Sequence, residues 1–195
     1  MTRATERVVK TDLLNAALLL VQKRGYQGFS YYDLARIVGV KTATIHYYFP
    51  TKADLATALI QQYSQTLQQE FTAIMADTAD VRERLRRFAM LFVATYRDDG
   101  RICLGGALAM EMAALGEATR ESVRAFFRLA EDWLAQVLAA GVAEQQIALC
   151  GTPEQTARSL LALLEGAQLA ARAFDDPVRL EELPELVVSM LGVPA

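Results

Sequence analysis

The sequence predicts an all-α fold: nine helices in two domains. Three observations lead there. Apolar residues recur about every 3.6 positions through nearly every segment, and no segment sustains the alternation of a strand. Start and stop signals punctuate the chain: Ser30-x-x-Asp33, Thr51-x-x-Asp54 and Thr152-Pro153-x-Gln155 open helices, while Gly39 and Pro50 end them. Finally, a chain of 195 residues, 53% hydrophobic, buries a core without disulfides or metals.

In order, Leu14, Ala17, Leu18 and Val21 share one face of a first helix that ends before Gly25. The second starts at Ser30 and carries Leu34, Ile37 and Val38 on one side. The third is short, about 42–49, and the fourth runs from the Thr51 cap to about Met75. A fifth, opened at Asp80, puts Leu85, Phe88, Ala89, Phe92 and Tyr96 in phase before Asp98-Asp99-Gly100 breaks it. A glycine-rich sixth is expected over about 103–114 and a seventh over about 117–140. The eighth follows the Thr152 capping box, with proline at its first position. The last starts near Pro177, and Pro184 kinks or splits it. The division expected is residues 1–52 as a compact head and 53–195 as a larger helical body.

Charge separates the same two parts. Residues 1–52 hold eight Lys and Arg against three acids, net +5, and include every lysine; the rest, twelve against twenty, is net −8. That asymmetry suggests a head that meets a polyanion. No run is apolar enough to cross a membrane and no signal peptide is apparent, so a cytoplasmic place is expected. Two cysteines are too few for a disulfide framework. No G-x-S-x-G, Walker loop or H-E-x-x-H argues for an enzyme, and no cofactor is expected. The single histidine, His46, has no metal-ligating companions at useful spacing.

The third helix carries the functional argument. Helix, glycine turn and helix between Leu34 and Phe49 form a helix-turn-helix outline. At 3.6 residues per turn, Ile45 and Phe49 define the buried side. Ala43, Thr44 and Tyr47 point away, flanked by His46 and Tyr48. A solvated face would be charged. This one offers hydroxyls and an imidazole for phosphates and methyls for thymine. Lys52, at the start of the fourth helix, adds a full charge where the helix dipole already favours phosphate.

The stretch VKTDLLNAALLLVQKRGYQGFSYYDLARIVGVKTATIHYYFPTKADLATALI, about residues 8–60, resembles the N-terminal domain of TetR-type transcriptional repressors. The matching features are Arg24-Gly25-Tyr26, the turn at Gly39-Val40 and the run Tyr47-Tyr48-Phe49-Pro50-Thr51-Lys52. The resemblance implies an all-α homodimer on a palindromic operator, released by a small molecule. By position it implies DNA contacts from Thr44, His46, Tyr48 and Lys52, with Tyr31 and Tyr32 as lesser candidates. Thr42, Ala43 and Tyr47 complete the candidate interface. Where the family often has Ser-Lys-Gly, this chain has Lys41-Thr42-Ala43. Lysine is a poor N-cap, so Thr42 is expected to cap instead, starting the helix one residue later. The alternative to a regulator is a helical ligand-binding or interaction protein whose head has lost DNA binding.

For the body, Leu160, Leu161, Leu164 and Gly166-Ala167, with Leu183, Leu186, Val187 and Leu191, are read as a four-helix dimer interface from the last two helices. Met90, Met110, Met112, Phe88, Phe92, Tyr96, Phe126, Phe127 and Trp133 are mostly core and together are candidates to line an effector cavity. Glu111, on a helix otherwise apolar, is read as a surface glutamate in preference to a buried polar handle of that cavity. Cys103, at the expected start of the sixth helix and near Arg101, is a candidate reactive thiol. The resemblance extends to a subgroup that senses electrophiles or oxidants through such a cysteine. The LEGAQLAAR stretch would then supply Arg172 as a second cation. The candidate effector residues are thus Cys103, Phe92, Tyr96 and Arg172.

Overall fold

The computed structural model of the chain describes residues 3–97 and 99–193, with side-chain environments from Arg7 onward. Asp98, expected to help break the fifth helix, lies outside them. Among the described residues there are ten α-helices and no strand. The only β-type pairing among them is one antiparallel bridge, Ala148 to Gly192. Among the described residues, no helix is long and apolar enough to cross a membrane.

The helices are α1 (Arg3–Arg24), α2 (Tyr31–Val38), α3 (Thr42–Tyr48), α4 (Lys52–Asp77), α5 (Val81–Arg97), α6 (Leu104–Ala109), α7 (Glu117–Ala143), α8 (Pro153–Phe174), α9 (Val178–Glu181) and α10 (Leu183–Ser189). The count exceeds the expected nine because the last helix is split at Pro184, which sits in the first turn of α10. The sixth helix is shorter than expected. It closes at Ala109, and a single 3₁₀ turn, Met112–Ala114, follows. Gly105 in α6 has no room for a side chain, since a Cβ there would lie 2.2 Å from the Phe126 ring.

Packing divides the chain into two compact units. The first comprises Met1–Ser64 and Leu104–Phe126, the second Gln65–Cys103 and Phe127–Ala195. In the first, α1 packs on α2 and α6, and α2 on α3. Its core gathers Leu13, Ala17, Leu20, Phe29, Leu34, Ile45, Phe49 and Leu55. Ile37 does not join them: it is 54% exposed, and Ala35 is buried in its place.

In the second unit, α5 packs against α8, α9 and α10. Phe71, Phe88, Phe92 and Trp133 form its aromatic centre. Phe71 stacks on Trp133 at 4.4 Å, and Phe88 meets Trp133 at 5.5 Å and Phe92 at 5.6 Å. Leu160, Leu161, Leu164, Leu183, Val187 and Leu191 are buried within the protomer. This corrects their assignment to a dimer face. Of the apolar side chains read there, Leu186 stays exposed. Met90 and Met110 are exposed as well, so they line no interior cavity. α5 ends where Asp99 and Gly100 both take left-handed φ, 77° and 68°.

Candidate DNA-binding site

The local folding of the tip follows its caps. Ser30 and Asp33 form a reciprocal capping box at α2. Gly39, at φ 75°, closes α2 with its N–H on the Ala35 carbonyl. Thr51 and Asp54 repeat the reciprocal arrangement at α4, with Thr51 N–H to Asp54 Oδ2 at 2.9 Å and Asp54 N–H to Thr51 Oγ1 at 3.1 Å. α3 differs: its N-cap is Lys41, with no side-chain cap, and Thr42 is its first helical residue. Thr42 therefore does not cap, and the helix does not start late. Lysine has no acceptor to offer.

Around α3, Ile45 is fully buried and Phe49 almost so. Thr42, Ala43, His46 and Tyr47 are exposed, Thr44 and Tyr48 half-buried. Tyr47 and Tyr32 are each 72% exposed. Tyr48 meets the Tyr47 ring edge-on at 5.1 Å. Tyr32, Arg36, Lys41, Thr42 and Ala43 help line an open groove of about 600 Å³ beside the glycine turn. The groove thus joins one aromatic hydroxyl, two cations and the methyls of Thr42 and Ala43.

Three predicted residues are engaged inside the head. The Tyr31 hydroxyl lies 2.9 Å from the Phe49 carbonyl and 2.6 Å from that of Thr51, sharing its one proton across the α3–α4 turn. Burial chiefly, with the nearby Asp54 charge, pushes its pKa up to about 12. Tyr31 therefore fixes the tip from behind. The His46 ring packs edge-on to Tyr31 at 4.9 Å, and its Nδ1 is 3.1 Å from the Pro50 carbonyl. That carbonyl can only accept, so Nδ1 carries the proton. Lys52 Nζ donates to the Phe29 carbonyl and lies 4.1 Å from the Phe29 ring centre and 4.9 Å from that of Tyr26. Desolvation pulls its pKa down, opposed by Glu111 and Asp33.

Glu111 is the residue that spacing missed. In place of the expected surface glutamate, its carboxylate accepts from the N–H of Tyr26 at 2.6 Å and of Gln27 at 3.0 Å. A contact across 85 positions leaves no periodic signal.

The effector candidates fall into two groups in the second unit. Cys103 is buried, 4% exposed. Its N–H donates to Gln168 Oε1 at 2.7 Å, and Gln168 Nε2 donates to the Phe92 carbonyl at 2.8 Å, so Cys103 and Phe92 are joined through one fully buried amide. Tyr96 is buried, and its electrostatic neighbours include Asp175 and Arg172, the latter exposed. The neighbour that sequence did not announce is Glu165. Burial pushes its carboxyl pKa up to about 7, while the Cys103 thiol, donating to it, pulls the other way. Glu165 Oε1 and Trp133 Nε1 are buried without hydrogen-bond partners among the described residues.

Comparison with known proteins completes the picture. Residues 13–59 match the N-terminal pattern of bacterial regulatory proteins of the tetR family, and residues 81–185 match the tetracyclin repressor-like C-terminal domain. A transcriptional regulator of the TetR family from Agrobacterium tumefaciens superposes with a TM-score of 0.92 at 31% identity, covering 96% of this chain and all of that one. The HTH-type transcriptional repressor NemR of Escherichia coli K12 is 25% identical over the full length of both chains. The crystal structure of its reduced form superposes with a TM-score of 0.82 at 24% identity, covering 96% of this chain and 99% of that one, a likeness of fold.

Proposed function

Because the chain belongs to the TetR family of bacterial regulatory proteins, and is a transcriptional regulator and not an enzyme, we propose how it works. Residues 1–52 bind DNA, residues 53–195 bind the effector and the second protomer, and the protein represses from a palindromic operator in the cytoplasm. The single observation that supports this best is the outer face of α3, where Tyr47 stands exposed beside Thr42, Ala43 and His46 while Ile45 and Phe49 anchor the helix. Tyr32, Thr42, Ala43, Thr44, His46, Tyr47 and Tyr48 contact the duplex, and Lys52 reaches a phosphate by leaving the Phe29 carbonyl. With Nδ1 held by Pro50, His46 offers Nε2 to the groove. Two such tips must sit about 34 Å apart to enter successive major grooves.

The dimer face lies on the side of α8 and α10 that the protomer leaves uncovered. Ala162, Gly166, Leu169 and Ala173 line up on α8, and Leu186 on α10 with Met190 at its C-cap, all exposed. Gly166 has open space above its Cα, as close helix approach requires. The effector acts near Cys103, Phe92, Tyr96 and Arg172. Effector control needs different affinities for two states of the dimer.

The experiment is a gel shift with the gene's own upstream region, competed by random duplex. Saturable binding that survives competition is expected; binding that random DNA removes equally would overturn the repressor reading. Reactivity at Cys103 is tested by adding a quinone to the complex. Release by wild type but not by Cys103→Ser is expected, and equal release by both excludes the thiol.

A further inference from the structure

Residues 104–126 hold the N-terminal helices at two places, the α1–α2 turn and the start of α4. Glu111 takes the N–H groups of Tyr26 and Gln27, in the turn that leads from α1 to the α2 cap. Thr119, almost fully buried, is 2.8 Å from the Thr57 hydroxyl and donates to the Ala53 carbonyl at 3.4 Å, in the first turns of α4. Lys52 stands between these grips, bonded to the carbonyl of Phe29 in the same α1–α2 turn and attracted by the Glu111 charge. Gly25, at φ 81°, makes the approach possible, since a Cβ there would lie 2.3 Å from Glu111 Oε1. A turn has few ways to satisfy its own N–H groups, and a carboxylate accepting two of them fixes its backbone.

We propose that Glu111 is a positioning residue for operator recognition: by holding the Tyr26 and Gln27 amides it sets the turn that orients α2 and Lys52. The proposal rests on the operator-binding reading. Tyr26 and Gln27 need touch no DNA, and Glu111, an anion, is repelled by phosphate, so its effect is indirect.

The test uses the full chain with Glu111→Ala and Glu111→Gln. The glutamine keeps the length and one acceptor but turns an amide donor towards a backbone N–H. Three readouts are taken: melting temperature, amide exchange in the peptide spanning residues 25–30, and affinity for upstream and random duplexes. In Glu111→Ala, exchange of the turn speeds about tenfold or more and upstream affinity falls about tenfold, while random-duplex affinity changes less than about threefold. Glu111→Gln falls between, and decides by the same readouts where the alanine variant does not fold. Unchanged exchange and affinity overturn the clamp, and equal loss on both duplexes overturns the positioning role. If wild-type protein itself shows no preference for the upstream duplex, the reading of the head fails instead, a distinct result.

Discussion

Helices α3 and α8 each show solvent an uncharged face, and the two faces differ in kind. On α3 the exposed groups are hydroxyls, an imidazole and methyls, with Lys41 and Arg36 close by. On α8 the line Ala162, Gly166, Leu169, Ala173 has no side-chain hydrogen-bonding group. The first suits a partner whose polar edges are read one by one; the second suits a copy of itself, close and apolar. The lesson is that a missing charge marks a partner surface, and the chemistry that replaces it names the partner.

Breaking the α8 face has the largest expected effect. Leu169→Glu leaves the protomer folded, because the position is already exposed. It puts two carboxylates into the contact, opposed by symmetry. Sedimentation should show monomer, and operator affinity should fall about a thousandfold, roughly 4 kcal/mol. A variant that stays dimeric removes α8 from the interface.

Between the two faces of α8 lies Glu165, and its carboxyl gives a pH signature. Its pKa in the folded protein, about 7, is above the unfolded value of 4.5. The folded state therefore keeps a proton that the unfolded state releases as pH rises between them. Stability is full below the unfolded pKa, falls through that window and levels above about pH 7, by on the order of 3 kcal/mol. Denaturation of Glu165→Gln across pH 4–8 should lack that fall. The same fall in both proteins would assign it to another group.

On α3 the sharpest substitution is Tyr47→Ala. It removes a side chain that the head does not need, so melting should move little while upstream affinity drops about tenfold and random-duplex affinity much less. An unaltered preference would mean that the tip is not the reading surface.

How far the sequence reached depends on the same contrast. α3 has two apolar anchors and a polar remainder, so period alone separated Ile45 and Phe49 from Tyr47. The caps at Ser30, Thr51 and Thr152 were legible because each is complete within four residues. α8 is apolar on both sides. Period located a stripe at Leu160, Leu161 and Leu164 but held no information on whether it faced α5 or a second protomer. Glu111, Gln168 and Glu165 were opaque for another reason. Their partners lie tens of residues away, and a polar side chain among apolar neighbours reads the same whether it is clamped or wet.

The smallest effect belongs to Lys52, and it separates charge from reading. Its ammonium is partly desolvated and bonded to Phe29, so a phosphate must displace an existing contact and the net gain is modest. Lys52→Ala should weaken upstream and random duplexes alike, by about threefold, and lower the salt slope by about one unit. Lys52→Arg should restore the slope without restoring the buried carbonyl contact, because the longer planar head fits phosphate better than the space between two rings. An unchanged slope in the alanine variant would confine Lys52 to its internal role of holding the α1–α2 turn. The tip's electrostatics would then rest on Lys41 and Arg36, beside the glycine turn.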